Sequence, residues 1–408
     1  MPSPAAIGHL DCDCFYVSAE RMRDRFLRDK PVGILGNQGA CVIAKSYEMK
    51  HAGVKTGMPI WDAMRLCPLG VYVKRDFRWY EVLSRRVLAV LRELFPRVEY
   101  HSIDDFFFEI SDGDGASLQQ LAEQLRGTLL REVGVPVTVG IARTKTLAKL
   151  ISDTAKPFGA LALLDADPVR ALLARQPVTE VSGIAGRRAA RLEPHGITTC
   201  LDLALADRRL IRQLLTITGE ALWYELNGDP VLPLYTERPP HKMLSRGGSL
   251  GGATGQPERV YAWLVRNLER LVEELEFHVV CTGALSVAIQ HKDGTSGFCR
   301  AELPAATNRF DLLLEAGRFC LERAWSPGSP ATHMHILASQ LRRPGFVQLG
   351  LFDQPEEQAR AVAEVKRKIN EEVGRFALRS GSTLPLADVY QDEAQSYDIC
   401  DVRGKICF

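Results

Sequence analysis

The sequence predicts an α+β multidomain fold, on three observations. Apolar segments follow one another in the order βαββαβ up to Asp153, short helical pieces come next, and a second α/β pattern opens beyond a proline-rich linker. A chain of 408 residues is too long for one compact core. Ordinary domain sizes divide it into roughly two to four domains.

Ile7 to Cys12 is short and apolar with a carboxylate near its end, which predicts a buried strand delivering Asp11 to one edge of a sheet. From Met22 to about Lys74, Gly36, Gly39, Gly53, Gly57 and Pro59 interrupt short apolar pieces, so a small inserted subdomain is expected. Tyr80, Leu83, Val87, Val90, Leu91 and Leu94 recur at helical spacing, closed by Pro96, and that stripe should cover a sheet. Val98 to Ile103 and Phe106 to Ile110 are rich in aromatic and β-branched residues and are separated by Asp104 and Asp105 alone, which predicts a hairpin with both acids at its tip. A helix around Leu118 to Leu130, a strand at Val135 to Ile141 and a helix from Thr144 to about Asp153 complete a ferredoxin-like unit.

Past Pro177, the stretch Val181 to Leu192 with Gly183, Gly186, Arg187 and Arg188 precedes short helices running to Gly228, a small helical module. Pro230, Pro233, Pro239 and Pro240 mark a stiff linker, and the glycine-rich stretch Ser245 to Gly255 opens the second α/β domain. There Val260, Leu264, Leu268, Leu271 and Leu275 line one helix face, Leu285, Val287 and Ile289 alternate as in a half-buried strand, and Met334 and Ile336 indicate another. After Pro344 the chain reads as a tail, with one charged helix near Glu357 to Glu372 and a polar, acidic end.

Composition excludes more than it assigns. Apolar residues make up 46% and charged residues 25%, as in a soluble globular protein. Met1 to Leu10 lacks the basic start and apolar run of a secretory signal, no stretch is apolar for long enough to span a bilayer, and the expected compartment is the cytosol, with no membrane partner. The ten cysteines are scattered without a CxxC pair, so reduced, packed thiols are expected; Cys400 and Cys407 flank a basic turn and read the same way. With a net charge of +1, any nucleic-acid surface must come from local arrangement and not from a bulk excess of Lys and Arg.

The chemistry lies in the acids. Phosphoryl transfer asks for fixed cations against the charge of the reacting phosphate, and carboxylates supply them by binding Mg²⁺. Two ions about 3.5–4 Å apart can activate the attacking oxygen and stabilise the leaving one, which needs two or three carboxylates converging at one edge. Asp11 at a strand end with Asp104 and Asp105 at a hairpin tip meets that need. Asp at strand ends also caps local backbone without any metal, and Asp11-Cys12-Asp13 also matches the DxD metal motif of sugar-nucleotide transferases, a pattern of only three residues. Asp13 stays unassigned between these readings.

His9 to Glu20 resembles the opening motif of the Y-family translesion DNA polymerases. Cys41 to Lys50 with Gly53 to Gly57 is similar to that family's fingers, Tyr100 to Asp105 to its second carboxylate motif, and Val139 to Lys149 with Ala155-Lys156-Pro157 to the rest of its palm. The likeness runs from Ile7 to Phe352 and comes nearest to the branch of bacterial SOS mutagenesis polymerases, the polymerase V type. It implies a right-hand polymerase: palm over 1–21 and 76–177, fingers over 22–75, a helical thumb over 178–232, a linker over 233–241, a little finger over 242–343 and a tail over 344–408. It implies that Asp11 and Asp104 ligate both of two Mg²⁺ ions, that Cys12 offers its backbone carbonyl, and that Asp105 completes the shell of the first metal, where the family usually has Glu.

By the same resemblance Tyr16, beside Phe15, is the steric gate against ribonucleotides. Tyr47, Lys50 and Lys156 grip the incoming dNTP; many relatives have Arg where Lys50 stands. Gly183, Gly186 and Arg187 form a helix-hairpin-helix-like element meeting DNA phosphates, with Ala185 in place of the usual second glycine, and Ser245-Arg246 contacts primer-template DNA from the little finger. Gln348, Leu349, Leu351 and Phe352 resemble the bacterial sliding-clamp-binding peptide. An SOS recombinase and accessory subunits are further implied partners. Two other functions keep the same acids: an accessory protein that binds DNA and clamp but has lost the chemistry, and a palm-fold nucleotide cyclase that needs no primer.

Overall fold

A computed structural model describes residues 6–36, 41–111, 113–237, 240–344, 357–374 and 376–390. The chain divides into two units, one reaching Arg238 and the other starting at Pro239. The first runs β1 (Ala6–Cys12), α1 (Phe15–Arg23), β2 (Val32–Leu35), β3 (Val42–Lys45), α2 (Tyr47–His51), α3 (Ile60–Leu66), β4 (Val71–Lys74), α4 (Phe77–Leu94), β5 (Val98–Tyr100), β6 (Asp105–Ile110), α5 (Gly115–Glu132), β7 (Val137–Ala142), α6 (Lys145–Ala155) and β8 (Ala160–Ala162). Helices α7 (Ala166–Arg175), α8 (Gly186–Leu192), α9 (Cys200–Leu205) and α10 (Arg208–Leu226) follow.

The main sheet has the order β5-β6-β1-β7-β8, with β1 antiparallel to both of its neighbours. That is the βαββαβ topology the apolar pattern predicts, extended by β8, a short parallel edge strand which that pattern does not reveal. Because β1 is central, its residues are buried on both faces, which explains the unbroken apolar run. A Cβ on Gly8 would lie 2.1 Å from the Phe108 ring, so glycine is what lets that ring cross β1 and stack on Phe95 at 4.2 Å. Helix α4 buries Tyr80, Leu83, Val87 and Leu91, the stripe read from its spacing.

The hairpin differs from expectation in detail. β5 stops at Tyr100, and the turn is made by residues 101–104, with the peptide N–H groups of His101 and Ser102 both donating to the Asp105 carbonyl. Asp104 therefore lies in the turn while Asp105 opens β6, and Ile103 is buried in the turn instead of extending a strand. The inserted segment forms its own sheet, β3-β2-β4, around Val42, Met49 and Val54.

The second unit comprises β9 (Met243–Thr254), α11 (Pro257–Phe277), β10 (Cys281–His291), β11 (Ser296–Thr307), α12 (Phe310–Ala324), β12 (Ala331–Arg342), α13 (Glu357–Glu372) and α14 (Ala387–Tyr390). Its sheet order is β11-β10-β12-β9. The glycine-rich stretch that opens this unit forms the edge strand β9. Gly247, at φ +151°, is required there, because a Cβ would meet the Met334 carbonyl oxygen at 2.0 Å. β10 is buried along almost its whole length, beyond the half-burial expected, since strands flank it on both sides. The segment after α13 is not a plain tail either: Leu386 and Val389 join the core of this unit.

Candidate active site

β1 and β6 set the acids side by side. Asp11 and Asp105 are direct partners in the antiparallel register, so their side chains share one face of the sheet, and the Cys12 peptide N–H donates to the Asp104 carbonyl at 2.9 Å. The face is the one α6 covers: His9, two residues before Asp11, meets Ser152 of α6 at 2.7 Å. Lys156, just past that helix, places Nζ 2.8 Å from Asp11 Oδ2 and 2.7 Å from Asp153 Oδ1. Lys149 Nζ lies 3.3 Å from Asp105 Oδ1, and the Ser102 hydroxyl donates to Asp104 Oδ1 at 2.5 Å.

Each carboxylate is thus already paired, and the electrostatics follow. Burial pushes the Asp11 carboxyl up to about 8, reinforced by the hydrogen bond and charge of Asp105 and resisted by Lys156. Burial also works against ionisation of Asp105, but hydrogen bonds from His9 and Asp11 and the charge of Lys149 hold it well below the usual carboxylate range. One proton shared between two facing acids is the expected state when no cation is present. His9 is fully buried, which lowers it to about 4, so at neutral pH it is an uncharged neighbour of Asp105 and not an ion-pair partner. For Lys156, burial is outweighed by Asp11 and Asp153, which raise the ammonium above its ordinary range.

Among the described residues no three His, Cys, Asp or Glu side chains stand gathered around one point as a finished metal shell. Lys156 and Lys149 each pair with one acid, and the Ser102 hydroxyl bridges Asp104 and Asp105. The donor set itself, three carboxylates and a strand-end carbonyl, is hard oxygen throughout and fits Mg²⁺ chemistry. The Cys12 thiol is buried, and burial pushes it up, leaving it no metal-ligand role at neutral pH.

Asp13 faces elsewhere. Its carboxylate accepts from Thr138 Oγ1, Tyr47 Oη and the Phe158 peptide N–H, which rules it out of a DxD pair with Asp11 in this arrangement. Tyr16 is 7% exposed, stacked on Tyr80 at 4.6 Å and edge-on to Phe77 at 5.6 Å, with Phe15 buried beside it. Lys50 is exposed on α2. Lys45 stands near enough for burial and the Lys50 charge to lower its pKa.

In the helical module Gly183 has φ +93° and Gly186 starts α8, both exposed with Arg187, while Val181 and Ile184 anchor the turn in the core. In the second unit Ser245 lies opposite Leu337, in line with Ser286 and Arg300 on the sheet face away from the helices. Arg246 is a correction to the expected phosphate contact: it points to the helix side, is 6% exposed and is ion-paired with Glu274. Gln348, Leu349, Leu351, Phe352, Cys400 and Cys407 lie outside the described residues. Sequence reasoning missed Lys149 and His9 as neighbours of Asp105. Lys149 and Ser152, three apart on α6, with Lys156 just past its end, would have shown that this helix aims one face at the acids.

The model of the impB/mucB/samB family matches residues 10–153, and that of the same family's C-terminal domain matches residues 241–351. Protein SamB of Salmonella typhimurium is 31% identical over 384 residues, covering 88% of this chain and 89% of the relative. DNA polymerase IV 1 of Bacillus subtilis (strain 168) is 29% identical over 409 residues, 96% and 98% of the two chains. Among solved structures, a Y-family DNA polymerase chimera, Dbh-Dpo4(243-245)-Dbh, superposes with a TM-score of 0.72 at 21% identity, over 83% of this chain and 99% of that one.

Proposed function

The chain belongs to the impB/mucB/samB family of Y-family DNA polymerases, and from that premise we propose how its own residues carry out DNA-directed synthesis across damaged template. It is a nucleotidyltransferase of translesion synthesis that uses divalent metal ions. In our reading these are two Mg²⁺ ions, held by Asp11, Asp104, Asp105 and the Cys12 carbonyl. Bound there, they supply the charge that activates the attacking primer oxygen and steadies the leaving phosphate. Lys156, Tyr47 and Lys50 bind the triphosphate. Tyr16, locked between Tyr80 and Phe77, is too tightly packed to yield to a ribose 2′-hydroxyl.

The observation that carries this reading is the register itself: Asp11 faces Asp105 across adjacent strands, with Asp104 one residue away and two lysines above them. Facing anions whose charge is met only by lysine ammonium groups suit a site that a divalent cation could enter. Gly183, Gly186 and Arg187, and the helix-free face carrying Ser245, serve as phosphate contacts to duplex DNA; Arg246 instead fixes α11 to the sheet. The peptide Gln348 to Phe352 binds the sliding clamp, an SOS recombinase and accessory subunits regulate activity, and the compartment is the cytosol. Among the described residues no helix is long and apolar enough to cross a membrane.

Primer extension on intact and abasic templates with Mg²⁺, comparing the protein with its Asp104→Ala variant, tests the proposal. We expect extension by the parent and a loss of at least about 10³-fold in the variant. Equal, negligible extension with DNA binding retained favours the accessory reading. Conversion of nucleotide without primer favours a cyclase.

A further inference from the structure

We propose that Asp13 is a latch from which the Tyr47 hydroxyl must be released before the incoming triphosphate is gripped, so that Asp13 sets nucleotide affinity through the tyrosine. The inference rests on reading Tyr47 as a triphosphate ligand. Asp13 occupies the turn between β1 and α1 and is 3% exposed. Thr138 Oγ1 lies 3.0 Å from both of its carboxylate oxygens, the Phe158 peptide N–H donates to Oδ2 at 2.9 Å, and Tyr47 Oη donates to Oδ1 at 3.1 Å. Its backbone is pinned as well, with its N–H on the Pro136 carbonyl at 2.9 Å and its carbonyl taking the Ser18 hydroxyl at 2.6 Å.

The donors differ in kind. Thr138 sits on β7, beside β1 in the main sheet, and Phe158 opens the short connection to β8, so both are fixed partners. Tyr47 begins α2, on the small inserted sheet, and is half-buried. A phenol has a single proton to give. While that proton goes to Asp13 it is withheld from a phosphate oxygen. Turned toward a phosphate, it would leave a phenolic lone pair facing the Asp13 carboxylate. Nucleotide entry therefore exchanges one anionic acceptor for another, and the tyrosine contributes only the difference between them.

The test is Asp13→Asn in the full-length protein with primer-template DNA. The amide oxygen keeps Thr138 and Phe158 as donors, and its NH2 group donates to Tyr47 Oη, freeing the phenolic proton. We expect KM for the correct dNTP to fall about fivefold, the worth of one net hydrogen bond, with a smaller change in kcat. In a Tyr47→Phe background the same substitution should leave KM unmoved. A KM that rises or stays constant in Asp13→Asn, or an equal shift in both backgrounds, overturns the latch while leaving the polymerase reading intact. If Tyr47→Phe leaves KM unmoved in the Asp13→Asn background, where the phenol is free to donate to phosphate, the premise about Tyr47 has failed and the latch with it. Should Asp13→Asn not fold, 3-fluorotyrosine at position 47 replaces it: the ¹⁹F resonance should shift on adding dNTP to a complex with chain-terminated primer, and an unmoved resonance overturns the proposal.

Discussion

Asp11 is a carboxylate whose partner across the sheet is another carboxylate, and its ionisation is therefore tied to whatever cation arrives. With the group raised to about 8 by burial and by Asp105, a metal ion binding below that pH must expel a proton. Affinity then strengthens roughly tenfold per pH unit on approaching about 8 and levels off above it. Calorimetric titration with Mn²⁺ across roughly pH 6 to 9 should show that slope together with proton release; a pH-independent affinity would mean Asp11 is not a ligand. That Asp11 meets the hairpin of Asp104 and Asp105 was legible from strand order and likeness. What surrounds Asp105 was not, because Lys149 reaches it only through the packing of α6 on β1 and His9 only through the register of β1 on β6. Asp105 is one methylene shorter than the family's usual Glu, and in this structure it leans on that pair.

At the scale of elements, α6 carries the cations of the site, so what fixes its start matters. Thr144 caps it, and Glu225, fully buried on α10, accepts from the Thr146 peptide N–H at 3.0 Å and from the Val231 and Leu232 N–H groups at 2.9 Å. Glu225→Ala leaves those donors unsatisfied and should destabilise the first unit by about 2–3 kcal/mol, read as a lower urea midpoint with unchanged slope. An unaltered midpoint would show that water replaces the carboxylate. Helices α4 and α11 were readable because their apolar stripes are long and regular. β9 was not, because an edge strand that approaches its neighbour through Gly247 has the composition of a loop. β5 ended early because Ser102 and Asp105 close the turn with backbone hydrogen bonds that no apolar pattern records.

On the scale of the whole chain, the two units are held by separate cores, and the second recruits sequence from far beyond its sheet. Leu386 and Val389 are buried in it, Arg259 pairs with Asp388 at 2.9 Å, and Lys366 pairs with Glu269 at 2.5 Å. A chain ending just before Glu357 keeps Gln348 to Phe352 but loses those contacts. It should bind the sliding clamp as the full chain does, while the second unit unfolds at a urea midpoint lowered by about 2–4 kcal/mol of stability. Undiminished stability would make the segment an appendage. None of this folding-back was legible, since the apolar residues between Phe376 and Tyr390 follow neither a helical nor a strand period. The net charge of +1 was equally silent about DNA, whose contacts depend on where few charges stand.

The proposed chemistry needs the facing acids to hold two divalent ions together. Counting Mn²⁺ in the complex with chain-terminated primer-template and the next dNTP, by electron paramagnetic resonance, addresses that most directly. We expect two ions per protein in the parent and fewer in Asp104→Ala at the same DNA occupancy; equal counts in the two proteins would contradict it.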